Sequence, residues 1–127
     1  MNIGIDIVEV KRIAKLIRNK AFLMRVFSAE EIAYCAKRVN KAEHFAVRFA
    51  AKEAVWKALG MGGILRQAQD GEQSRTISLK NISVKNLPNG KPEALIKGRK
   101  HKDISISLSH TKDYAAAVAI IKVSDKP

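Results

Sequence analysis

The hydrophobic pattern of this chain changes period near its midpoint, and that change limits the fold more than any single motif. From Val10 to Leu59 the apolar residues recur at helical spacing, whereas from Ile77 to Ile121 they alternate at the two-residue period of strands. Helices early and strands late predict an α+β domain, with helices packed on an antiparallel sheet. One strand stands outside that order. Ile3, Ile5 and Ile7 alternate with Gly4, Asp6 and Val8, so the chain opens on a strand with the isoleucines on one face and Asp6 on the other. This strand is expected to join the late sheet.

Val10, Ile13, Ala14 and Ile17 share one face of a first helix, and Lys11, Arg12, Lys15 and Arg18 form a basic stripe on the other. Ser28 followed by Glu31 is a capping box, which predicts a second helix running through Ile32, Tyr34 and Cys35 toward Arg38. A third, alanine-rich helix over about residues 42–59 stops at Gly60. Residues 61–75 mix Gly62, Gly63 and Gly71 with polar side chains, show no period, and predict a mobile surface loop. Ile77 and Leu79, a parity shift at Lys80-Asn81, then Ile82 and Val84 predict one long strand with a bulge. Asn89-Gly90 offers a tight turn into a short strand over 93–96. Ile104, Ile106 and Leu108 alternate with serines, and the loop from His110 to Asp113 joins them to a last apolar run as a hairpin. Residues 124–127 are expected to fray.

At 127 residues and 46% apolar, the chain is long enough for one compact domain over 1–127 and too apolar for disorder. Twenty-four Lys and Arg against twelve Asp and Glu give a formal net charge of +12, so its partners should be anionic. No apolar run approaches the roughly 18 residues of a membrane span. Asp6 and Glu9 stand where a secretory signal would be basic and then apolar, so a cytoplasmic protein with no membrane partner is expected. Cys35, the single cysteine, can form no internal disulfide and is expected to be a buried helix residue.

The segment from Arg48 to Gly60 carries the most chemistry. Phe45, Phe49 and Trp56 fall in one arc of the helix, with Glu53 at its edge and Lys57 just beyond. The plainer account makes Glu53 and Lys57 an i,i+4 pair on an exposed helix and leaves Arg48 and Lys52 solvated. Asp6, flanked by isoleucines, either faces water on an edge strand or is paired or bound to a cation on a covered face. If Asp6 and Glu53 converge, two hard oxygen donors in a basic protein fit Mg²⁺ together with substrate phosphates. His110 sits at a hairpin tip, where loops often hold ligands. His44 and His101 have no comparable setting and are read as surface residues.

Taken in order, five pieces resemble the holo-acyl-carrier-protein synthase family of 4′-phosphopantetheinyl transferases. They are Gly4-Ile5-Asp6-Ile7-Val8-Glu9 with Arg12-Ile13; Arg25-Val26-Phe27-Ser28 with Glu31; Arg48-Phe49-Ala50-Ala51-Lys52-Glu53-Ala54 with Lys57-Ala58-Leu59-Gly60; Asn89-Gly90-Lys91-Pro92; and Ser107-Leu108-Ser109-His110-Thr111 with Tyr114-Ala115. The resemblance implies transfer of the phosphopantetheine arm of coenzyme A to a serine of an apo-acyl carrier protein, in fatty acid biosynthesis, with release of adenosine 3′,5′-bisphosphate. It implies Mg²⁺ on Asp6 and Glu53, and Lys57 on a phosphate oxygen. Arg48, His110 and Thr111 then match positions at the nucleotide end of coenzyme A, and Asn89, Gly90 and Pro92 match the turn that borders the adenine. Either Glu53 or a metal-held water would accept the serine proton. Arg12 and Arg25 match positions that face the acidic carrier, and Lys15 and Arg18 extend that surface. The family is usually a homotrimer with its ligand between protomers. Two features depart from the pattern: Met61 stands where the family has a threonine, and the 61–75 loop looks long.

A nucleic-acid-binding module is the competing class. Single-strand binders interleave aromatics with basic residues for stacking, and the basic stretch from Lys11 to Ala21 has none. A non-catalytic partner-binding protein would have little need to keep Asp6, Glu53, Lys57 and His110 together.

Overall fold

A computed structural model of the chain describes residues 1–60 and 78–122. Among them run β1 (Asn2–Glu9), α1 (Val10–Leu16), α2 (Lys20–Val26), α3 (Ala29–Ala36), α4 (Lys41–Ala58), β2 (Ile82–Asn86), β3 (Pro92–Ile96), β4 (Arg99–Lys100), β5 (Ile104–His110) and β6 (Tyr114–Ile121). The first strand pairs with the last: β1 lies antiparallel to β6 with Asp6 opposite Ala117, and β5 pairs on the other edge of β6. The remaining strands form a second antiparallel sheet in the order β2-β3-β4. The class is α+β, as the change of period predicts, but the late strands divide into two sheets.

Helix α4 packs across the first sheet, and small side chains on both surfaces bring the two backbones close. Ala50, Ala54 and Ala58 are buried from the helix, and Ala115, Ala117 and Ala119 from β6. The tightest approach is at Gly4. A methyl group there would collide with the Ala54 carbonyl oxygen and lie 2.8 Å from the Ala58 nitrogen, so only glycine fits. Ile13, Phe27, Phe45, Phe49 and Val55 fill the rest of the core, with the Phe27 and Phe45 rings edge-on at 5.0 Å, while Trp56 is partly buried. Cys35 is buried as expected, and burial pushes its thiol up to about 11. Of the two faces of β1, Gly4, Asp6 and Val8 turn toward α4, while Ile3, Ile5 and Ile7 are 64%, 67% and 68% exposed.

Local signals set the helix ends. Ser28 Oγ accepts from the Glu31 N–H while Glu31 Oε1 accepts from the Ser28 N–H, the reciprocal cap the sequence predicts. Gly60, at φ 73°, follows α4 as expected. Helix α2 was not foreseen, because seven residues are too few for a period to register; its start is marked by Asn19, whose Oδ1 accepts from the N–H groups of Ala21 and Phe22.

Two expectations are overturned. The bulged strand from Ile77 to Val84 is instead a 3₁₀ turn at Leu79–Asn81 followed by β2. Asn81 Oδ1 accepts from the Ser78 N–H and hydroxyl, which closes the turn locally. Arg48 and Lys52 are not solvated: they are 4% and 0% exposed. Helix α3 and strand β2 cover their side of α4, and Lys52 Nζ meets Glu31 at 2.6 Å and donates to the carbonyls of Leu79 and Ile82. Ile77 itself, the predicted loop over 61–75 and residues 124–127 lie outside the described residues. No helix among the described residues is long and apolar enough to cross a membrane.

Candidate functional site

The covered face of β1 carries Asp6 to the last turns of α4, where it meets a lysine. Lys57 Nζ lies 3.2 Å from Asp6 Oδ1 and donates to the Ile5 carbonyl at 3.1 Å. Lys57 therefore crosses to the strand instead of closing only on Glu53, one turn back. The Glu53 carboxyl is held above its usual value of 4.5, first by burial and then by the negative charge of Asp6; Lys57 and Arg12 act in the opposite sense. Asp6 and Glu53 thus converge closely enough to oppose each other's ionisation, which is the arrangement the sequence left open.

That opposition is what a bound cation relieves. Among the described residues no group of three or more His, Cys, Asp or Glu comes together. A pair of carboxylates suits Mg²⁺, which takes one or two such ligands and completes its shell with water and phosphate oxygens. The donor set fits that ion.

A second group lies elsewhere on α4. Arg48, Gly90, Pro92 and His110 line one cleft of about 330 Å³. Arg48 lies over the Tyr34 ring at 4.3 Å, Arg38 lies over the same ring at 4.0 Å, and the buried Nε of Arg48 has no hydrogen-bond partner. His110 ends β5 with its Nδ1 3.2 Å from Glu43 Oε1. Gly90, at φ 87°, belongs to the turn between β2 and β3 and donates to the Leu87 carbonyl, and Asn89 Oδ1 accepts from the Lys91 N–H. Thr111 likewise spends its hydroxyl on the β5–β6 turn, accepting from the N–H groups of Asp113 and Tyr114. Asn89 and Thr111 therefore shape the loops that border the cleft.

The two groups do not meet within one chain. Arg48 and Lys57 are about two and a half turns apart on α4, on opposite sides of the helix and roughly 13 Å apart along its axis. Asp6 and Lys57 line a different pocket with Ile5, Ile7 and Ala116, beside the uncovered isoleucines. Of the basic residues singled out in the sequence, Arg12 and Lys15 are exposed on α1, Arg18 just past its end and Arg25 on α2. The charge of Arg12 is felt at Glu53, so this surface adjoins the acid pair.

The sequence reading missed Tyr34, Asn86 and His44 as residues of the cleft. His44 is not a simple surface residue, since α4 packs it between Tyr34 and His110; His101 is exposed as expected. The available signal for His44 was its place one helical turn before Arg48.

Residues 2–119 match the model of the 4′-phosphopantetheinyl transferase superfamily. A holo-[acyl-carrier-protein] synthase of Syntrophus aciditrophicus is 39% identical over 94% of this chain and 93% of its own length. Among solved structures, the fold is similar to that of a Bacillus anthracis holo-(acyl-carrier-protein) synthase in complex with CoA (3′,5′-ADP), with TM-score 0.72, 30% identity, and 97% and 96% of the two chains covered. It is also similar to a Chronobacterium ammoniagenes ACPS-CoA complex, with TM-score 0.75, 27% identity and 97% of each chain covered.

Proposed function

The chain belongs to the 4′-phosphopantetheinyl transferase superfamily, and on that premise we propose that it moves 4′-phosphopantetheine from coenzyme A to a serine of an acidic apo-acyl carrier protein. Adenosine 3′,5′-bisphosphate leaves, and the reaction serves fatty acid biosynthesis in the cytoplasm, with no nucleic-acid or membrane partner. The observation that carries this reading is the convergence of Asp6, Glu53 and Lys57. The whole chain acts as one domain in this scheme.

Asp6 and Glu53 would hold Mg²⁺, which when bound supplies neutralisation of diphosphate charge. Lys57, bound to Asp6 at one end of its reach, adds a positive charge for the phosphate oxygens. Arg48 and His110 hold the nucleotide end, Gly90 and Pro92 border the base, and Asn89 and Thr111 set the turns around it. The serine hydroxyl attacks the β-phosphorus, and the bond from that phosphorus to the bridging oxygen breaks, so the chain's task is alignment and charge placement. Arg12, Lys15, Arg18 and Arg25 present a basic surface to the acidic carrier, which speeds encounter and sets orientation.

Assembly as a homotrimer accounts for the separation of the two groups. A coenzyme A molecule lying between protomers would join the Asp6 pocket of one copy to the Arg48 cleft of the next. Supporting this, Ile3, Ile5 and Ile7 stand uncovered opposite Ile120, Val118 and Ala116. Full burial of each isoleucine would contribute about 1.5–3 kcal/mol.

Incubating the protein with coenzyme A, Mg²⁺ and an apo-carrier should add about 340 Da to the carrier, the mass of the transferred group. Unchanged mass across several apo-carriers would refute the transfer.

A further inference from the structure

The cleft that holds Arg48 and His110 contains a third group with chemistry to contribute. His44 stands one turn before Arg48 on α4, and its ring centroid lies 6.2 Å from that of His110 and 6.2 Å from that of Tyr34. The charged and titratable groups around it come from each packed element: Arg48 and Glu43 on its own helix, Arg38 from the segment after α3, Tyr34 from α3 and His110 from β5. Three of these are cations or can become cations, and the one carboxylate, Glu43, is already engaged by His110. Burial, Arg48, His110 and Arg38 in that order hold the His44 imidazole below its usual value of 6.5, with Glu43 opposing them. The buried Arg48 Nε, without an acceptor among the protein groups, marks the same excess of donors over acceptors.

We propose that His44 is a further ligand-binding residue of this cleft, and that it takes up a proton to become a second imidazolium beside Arg48 when the phosphate of a nucleotide enters. The inference rests on the functional reading above, which makes the adenosine bisphosphate portion of coenzyme A that nucleotide. A dianionic phosphate reverses the field at His44 and favours the charged ring. The proton comes from solvent, and no covalent bond is made or broken. Because the imidazole binds its proton more tightly in the complex than in the free protein, the added affinity is fully present below the free value. It is lost as pH rises through the value in the complex, at up to about tenfold in affinity per unit of difference.

Calorimetric titration of the full-length protein with adenosine 3′,5′-bisphosphate, at neutral pH in buffers of differing ionisation enthalpy, counts the protons taken up. The wild-type protein should take up protons, and His44→Phe and His44→Gln should each lose at least about half of that uptake. The ratio of wild-type to variant affinity should fall several-fold from pH 6 to pH 8. The ligand's own phosphate ionisation is common to all three proteins and cancels in that ratio. A merely structural role for His44 would lower affinity equally at all pH values. Equal uptake in wild type and variants, or a ratio independent of pH, overturns the proposal while coenzyme A turnover by the wild type leaves the functional reading standing. Absence of nucleotide binding by the wild type, with no mass gain on any carrier, removes both. Should the variants not fold, NMR titration of the His44 ring in the wild type decides the matter: an upward shift of about half a unit or more on adding the nucleotide supports the proposal, and none or a downward one refutes it.

Discussion

Replacing Lys52 with methionine should destabilise the fold by about 3–5 kcal/mol, the usual loss when one partner of a buried ion pair is removed. The ammonium is 0% exposed, sits 2.6 Å from Glu31, and also donates to the carbonyls of Leu79 and Ile82. Burial alone pushes its proton affinity down, and Glu31 is the main group that restores it. Methionine has nearly the same volume, so little of the loss comes from a cavity. What remains is a carboxylate 3% exposed without its counter-ion, and two carbonyls without a donor at roughly 1–3 kcal/mol each if water does not reach them. These terms share one site and do not add, so the buried-pair range is the figure to test. In urea, with a slope of about 1–3 kcal/mol per molar, the midpoint should fall by roughly 2 M at matched protein concentration. Adding Glu31→Gln to the variant should recover only part of the loss, because Glu31 also caps α3 through Ser28 and accepts from the Val84 N–H at 2.9 Å. A loss below about 1 kcal/mol for the single variant would show that the pair is not buried as described.

Gly4→Ala drives a methyl group into the Ala54 carbonyl, and overpacking against backbone should lower stability by at least about 2 kcal/mol in denaturant unfolding; an unchanged midpoint contradicts the close approach of β1 and α4. Glu53→Gln should abolish turnover yet leave the thermal midpoint at neutral pH unchanged or slightly higher. The sign follows from the raised carboxyl: the folded state holds that proton more tightly than the unfolded state. The contribution of Glu53 is therefore most favourable below pH 4.5 and declines as pH rises through its folded value. A midpoint lowered by several degrees at neutral pH would refute this. Ile5→Glu, on the uncovered face of β1, should convert a trimer to monomers by light scattering and remove activity while circular dichroism is unchanged; a wild type that is already monomeric refutes the assembly.

Much of the fold was legible because its signals are local. The Ser28–Glu31 cap, the end of α4 before Gly60, the β5–β6 hairpin and the two-faced alternation of β1 each depend on residues a few positions apart. Helix α2 and the 3₁₀ turn at Leu79–Asn81 escaped because short elements are set by single side-chain caps, Asn19 and Asn81, that a period cannot reveal. For the site, the resemblance marked Asp6, Glu53, Lys57, Arg48, Gly90, Pro92 and His110, and the fold gathers them into two groups. His44 went unnoticed because its ring matters only once β5 and α3 are packed beside it.

By itself the sequence determined the class of fold, the helix caps, the faces of each strand and the kind of chemistry available, since these follow from spacing and side-chain type along the chain. Only the tertiary structure decided which face of β1 is covered, that Lys52 and Arg48 are buried, that Lys57 reaches across to Asp6, and that the acid pair and the nucleotide cleft lie on opposite sides of α4. The physical reason is that burial, ion pairing and the opposition of two carboxylates depend on distance through space. Those distances are set when Gly4 lets α4 settle onto the sheet and β2 closes over its other side.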